Sequence, residues 1–98
     1  MSYFLLCTFD LKNASRQDYE NAYADLGKIG LTRVMTRNQG GQVVIPTTTV
    51  AGTFNGASAV IVHNAVQERI KKAFQARGFS SEIFTLAAGD WAWNGATT

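Results

Sequence analysis

Residues 3–10, Tyr3-Phe4-Leu5-Leu6-Cys7-Thr8-Phe9-Asp10, make a nearly continuous apolar run closed by a carboxylate. Such a run predicts a strand buried on both sides, with Asp10 at the rim of the sheet. Tyr3, Leu5, Cys7 and Phe9 share one face of that strand, and Phe4, Leu6 and Thr8 share the other. The strand is therefore expected to be central, with helices over one face and a second cover, such as a partner subunit, over the other. A carboxylate at a sheet rim is well placed for chemistry or for holding a metal ion.

Working outward, Ser15 and Asp18 resemble a capping box with a shorter acid. Tyr19, Ala22, Tyr23, Leu26 and Ile29 then recur at helical spacing until Gly30, which predicts a helix over 16–29. Leu31–Thr36 reads as a second strand, and Asn38-Gln39-Gly40-Gly41 as a turn whose paired glycines permit positive φ. Gln42–Ile45 either returns as a hairpin arm or forms a loop, because Pro46 cannot donate to a ladder. Thr47–Phe54 resumes strand character and Asn55-Gly56 ends it. Ser58 caps a second helix with a stripe of Ala59, Val62, Val66, Ile70, Ala73 and Phe74, and Gly78 stops it. Glu82–Ala87 is the last strand, followed by a C-terminal extension over 88–98 that carries Trp91 and Trp93.

With no repeat and no linker, residues 1–98 read as a single domain. The order βαββαβ predicts an α+β, ferredoxin-like two-layer sandwich: an antiparallel sheet with both helices on one face and the first and last-but-one strands in the middle. The uncovered face is apolar, so a homodimer formed through that face or through edge strands is expected.

Composition bounds the function loosely. Nine basic and seven acidic side chains leave a net charge of +2, which does not by itself mark a nucleic-acid binder. Cys7 is the only cysteine, so neither a disulfide framework nor a zinc cluster can form within one chain, and a small buried hydrophobe in a reducing compartment is expected. The apolar N-terminal stretch lacks a basic lead and is too short to span a bilayer. The expectation is a cytoplasmic protein with no membrane partner.

The order of elements, Phe9-Asp10 after an apolar strand, the helix begun near Arg16, the Thr47-Thr48-Thr49-Val50 strand, Ser58-Ala59 and the Trp91 and Trp93 tail together resemble the small CRISPR-associated adaptation proteins and their SinR-like relatives. The resemblance spans almost the whole chain. It implies a ferredoxin-like homodimer that acts on or beside DNA or RNA, either as a binding scaffold or as a metal-dependent endonuclease. Phe9 stands where those proteins usually carry tyrosine, and the Asn38–Pro46 insertion and the Trp-Ala-Trp tail also depart from their pattern.

The candidate site follows from that resemblance. Asp10 is the proposed catalytic and metal-ligating residue: across a two-fold axis, two copies would hold one Mg²⁺ with several waters. The structural alternative is that Asp10 caps the turn into Leu11-Lys12-Asn13. Arg16, Arg33 and Arg37 are the candidate nucleic-acid contacts, the two hairpin arginines being better placed for phosphate. Trp91 and Trp93 are expected at an interface, with base stacking as the alternative. His63, beside the apolar stripe and without a nucleophile at useful sequence spacing, reads as structural. With no second ligand apparent in the chain, little or no catalysis is expected. A protein-interaction module anchored by the two tryptophans is the remaining class.

Overall fold

The elements run β1 (Ser2–Leu11), α1 (Arg16–Ile29), β2 (Val34–Thr36), β3 (Gln42–Val44), β4 (Thr49–Asn55), α2 (Ala59–Ala76) and β5 (Ser81–Ala88) in the computed structural model, which describes residues 1–98. The fold is ferredoxin-like. β1 is the middle strand of a sheet ordered β4-β1-β5, antiparallel to both neighbours. A single Thr32–Ala51 bridge lies on the outer side of β4. β4 is otherwise an edge of the three-stranded sheet, where the element order predicts an inner strand, because β2 pairs only with β3.

The helices begin and end where their side chains dictate. Ser15 accepts from the Asp18 amide at 3.1 Å while the Asp18 carboxylate accepts from the Ser15 amide at 3.0 Å, a reciprocal capping box. Gly30 closes α1 at φ 106°, and Leu31 N donates to Leu26 O at 2.9 Å. Gly78 does the same for α2 at φ 74°, with Phe79 N bonded to Phe74 O at 3.0 Å.

Both helices cover the face of β1 that carries Tyr3, Leu5, Cys7, Phe9 and Leu11. Against it pack Ala22 and Leu26 of α1, Val62, Val66, Ile70 and Phe74 of α2, and Val50 of β4. Each large apolar side chain buried here contributes about 1.5–3 kcal/mol. Cys7 is fully enclosed, and burial pushes its thiol up to about 12, so it is a packing group with no nucleophilic form at neutral pH.

The second strand is shorter than the pattern of Leu31–Thr36 predicts. Leu31 is spent on the helix cap and the core, and Thr32 makes only the single bridge to Ala51. The chain then leaves the main sheet, and β2 pairs only with β3 to form a projecting hairpin. Gln42–Val44 is thus a hairpin arm, and Gly40 and Gly41 supply its positive-φ turn at 93° and 80°. β4 starts at Thr49 because Pro46 lacks a donor and Thr48 sits at φ 64°. Tyr23 Oη holds Thr48 there by accepting from its amide at 2.7 Å.

α1 and α2 are also tied by a forked ion pair. Arg77 donates Nε to Asp25 Oδ2 at 2.8 Å and Nη2 to Oδ1 at 3.0 Å. These hydrogen bonds, aided by the charges of Arg77 and Lys28, hold the Asp25 carboxyl below its usual range against the opposing effect of burial. A carboxyl lowered by folding stabilises above its unfolded pKa of about 3.9, and the contribution disappears as pH falls through the folded value. The urea midpoint of Asp25→Asn is therefore expected below wild type near neutral pH, with the two converging in acid as Asp25 is protonated in the folded state. A gap that persists undiminished in acid would show that the ion pair is not its source.

The opposite sheet face brings Phe4, Leu6 and Thr8 into register with Ala51 and Thr53 on one side and with Phe84, Leu86 and Ala88 on the other. Phe84 and Leu86 are 62% and 50% exposed, whereas Phe4 is covered. No helix is long and apolar enough to cross a membrane.

Candidate functional site

Asp10 lies exposed near the end of β1, at the rim predicted from the sequence. Tyr19 Oη donates to Asp10 Oδ1 at 3.1 Å and accepts from Leu11 N at 3.1 Å, which joins the carboxylate to α1. The antiparallel register sets Glu82 of β5 directly opposite Asp10. This second carboxylate could not be read from the sequence, because 72 positions separate it from the first and only the β1–β5 register brings them together. Glu82 is already paired with Lys12 Nζ at 3.2 Å. No three His, Cys, Asp or Glu side chains converge within the chain. Two exposed carboxylates, one bonded to a phenol and one neutralised by lysine, do not make a Mg²⁺ site within one chain.

The three arginines have separate neighbours. Arg16 reaches Glu20 at 3.6 Å on the surface of α1. Arg33, just before β2, lies over the Tyr23 ring at 4.2 Å from its centroid. Arg37, just after β2, donates Nε to Asn94 Oδ1 of the C-terminal extension at 3.1 Å. Of the three, only Arg37 lines the clefts beside the extension.

Those clefts are formed by the extension folding back over its own domain. The Trp91 ring stacks on Phe4 with centroids 5.9 Å apart and planes 23° from parallel. Trp93 is half-buried, and Gly95 packs so closely on Val43 that a Cβ there would meet the valine side chain. Two clefts of about 580 and 660 Å³ result. The first is bounded by Arg37, Asn38 and Gln39 of the hairpin and by Trp91, Trp93 and Asn94 of the extension. The second shares Met35, Arg37, Trp93 and Asn94 with it and runs over Phe4 and Leu6 on the open sheet face. Arg37 is the one charged side chain in either lining.

His63 meets a hydroxyl that its sequence spacing does not offer, 22 positions away on β5. Its Nε2 lies 2.6 Å from Thr85 Oγ1, and its Nδ1 lies 3.1 Å from Asn64 Oδ1. Gln67 Nε2 donates to the same hydroxyl at 3.0 Å. Hydroxyl, imidazole and amide stand in the order of a nucleophile, its base and an orienting group. The Thr85 oxygen, however, is engaged by two side chains, and neither cleft beside the extension reaches it. The group works as a hydrogen-bonded strut between α2 and β5.

Fold and site together define a ferredoxin-like domain with a tryptophan-bearing extension packed on a projecting hairpin. No protein-family model matches the chain, and no curated protein matches it significantly.

Proposed function

We propose that the protein is a homodimeric nucleic-acid-binding module of the CRISPR-adaptation and SinR-like kind, cytoplasmic, with little or no catalysis of its own. The observation that carries this reading is the acid-free lining of the two clefts, in which the Arg37 guanidinium is held by Asn94 beside two indoles. A fixed guanidinium suits phosphate, and indole faces suit bases. Phe84 and Leu86, exposed on the part of the open sheet face that the extension does not cover, support self-association. The Asp10 rim supports binding better than cleavage, since both of its carboxylates already have partners.

Labelled DNA and RNA, single- and double-stranded, are expected to raise fluorescence anisotropy on titration, with affinity falling as salt rises. Light scattering at micromolar concentration is expected to return twice the chain mass. Absence of binding at low salt, or a monomer throughout, would sink the corresponding part of the proposal. Robust Mg²⁺-dependent hydrolysis that Asp10→Asn abolishes would replace it with a nuclease whose metal is held between two chains. Hydrolysis that survives the substitution would come from a contaminant.

A further inference from the structure

We infer that the paired clefts between the hairpin and the C-terminal extension take single-stranded nucleic acid. An unpaired base lies against Trp93, and Arg37 holds an adjoining phosphate. This deepens the proposed function and rests on it.

Four observations converge on that ligand class. Each cleft lies within the ~300–1,000 Å³ range of pockets that enclose a small ligand or one unit of a polymer. Arg37 is the only charged lining group, so the occupant is neutral or anionic. Its Nε is committed to Asn94, which leaves the terminal nitrogens of a pre-oriented guanidinium for a phosphate. In the first cleft the remaining lining sets apolar side chains (Trp91, Trp93, Met35) beside side-chain amides (Asn38, Gln39, Asn94), whereas the second is mainly aliphatic.

The amides decide between ligands. A purely aliphatic occupant would desolvate them without giving them partners, which is unfavourable. A nucleobase has both a π-face for an indole and an edge rich in donors and acceptors for amides. Its polymer carries one negative charge per unit, the spacing a single guanidinium beside a stacking surface calls for. In a duplex, base faces are covered by their neighbours, so only an unstacked strand can present one to Trp93. The extension is also held by polar and apolar contacts from the hairpin, so the site is formed before the ligand arrives.

The test uses the whole chain, a mixed-sequence DNA decamer, its RNA counterpart and the matching duplexes. Intrinsic tryptophan fluorescence and anisotropy of labelled strands are read in parallel. Single strands are expected to quench the indoles saturably and to bind more tightly than duplexes. Trp93→Ala is expected to weaken single-strand binding about fivefold to a hundredfold, the range for losing one stacked base. Trp93→Phe, which keeps an aromatic face, is expected to retain most of it, which separates stacking from misfolding. Arg37→Ala is expected to reduce the slope of log K against log salt by about 0.7, the loss of one single-strand phosphate contact. Lys72→Ala, on the exposed side of α2, is expected to bind as wild type. Duplexes that bind as well as single strands without indole quenching would overturn the inference while leaving a nucleic-acid-binding function intact. So would Trp93→Ala and Arg37→Ala variants indistinguishable from wild type. Failure of every nucleic acid to bind at low salt would remove both.

Discussion

Phe74→Ala is expected to lower the free energy of unfolding by about 3–5 kcal/mol, the usual cost of removing a fully buried phenyl ring. The Phe74 ring, 1% exposed, closes the core between α2 and the sheet. It meets Phe9 edge-on at 5.4 Å and Phe79 edge-on at 5.7 Å, so truncation also removes two aromatic contacts. Phe9 is itself shared with Tyr19 and Tyr23 of α1, at 6.2 and 5.7 Å. The cavity left behind therefore sits where both helices meet the central strand. Rigid β1 and the capped end of α2 leave little room for collapse. A domain of this size has about 5–15 kcal/mol in total, so the variant would be marginal at 25 °C. Urea titration followed by far-UV circular dichroism measures the loss. Phe84→Ala, which removes an exposed ring of the same size, is expected to change stability by less than about 0.5 kcal/mol in a monomer. Equal losses for the two variants, measured at concentrations where the protein is monomeric, would contradict this arrangement of the layers.

The contrast between those phenylalanines was only partly legible in the sequence. Phe74 falls on a helical stripe with Val62, Val66 and Ile70, and periodicity alone assigns it to the core. Phe84 sits in a strand apolar on both sides, and its exposure follows from which face the helices cover. The capping box at Ser15 and the glycine stops were readable because helix ends are decided by local hydrogen bonds. The length of the second strand was not, because the Leu31 amide is used by the helix cap and the chain then leaves the sheet after one bridge. Of the candidate site, Asp10 was visible as the carboxylate at the end of an apolar run. Its partner Glu82, the His63–Thr85 contact and the Arg37–Asn94 contact all join distant positions through register and tertiary packing. Such pairs leave no local signature.

Gly52→Ala is expected to destabilise by about 2 kcal/mol or more, an unusual penalty for adding one methyl group to a strand. Gly52 lies opposite Leu5 in the ladder and faces α1, where a Cβ would run into the backbone carbonyl oxygen of Gly30. A clash with a flexible side chain would be relieved cheaply; this one is with backbone held from both directions. On one side, Gly30 closes the helix at φ 106°, with Gly30 N bonded to Gly27 O and Leu31 N to Leu26 O. On the other, Thr32 and Ala51 exchange both backbone hydrogen bonds at 2.9 Å, and Leu31, between Gly30 and Thr32, is fully buried. Moving the Gly30 carbonyl therefore breaks either the helix cap or the bridge that joins the hairpin to the main sheet. Replacing glycine normally stabilises by about 0.4–1 kcal/mol through the unfolded chain, so the steric cost must exceed that before any loss is seen. Because the strain falls on the segment leading into the hairpin, hydrogen exchange at Leu31, Thr32 and Ala51 is expected to accelerate more than at Leu5 or Ile70. A melting temperature equal to or above that of wild type would mean that α1 does not approach β4 as closely as the Gly30–Gly52 contact requires.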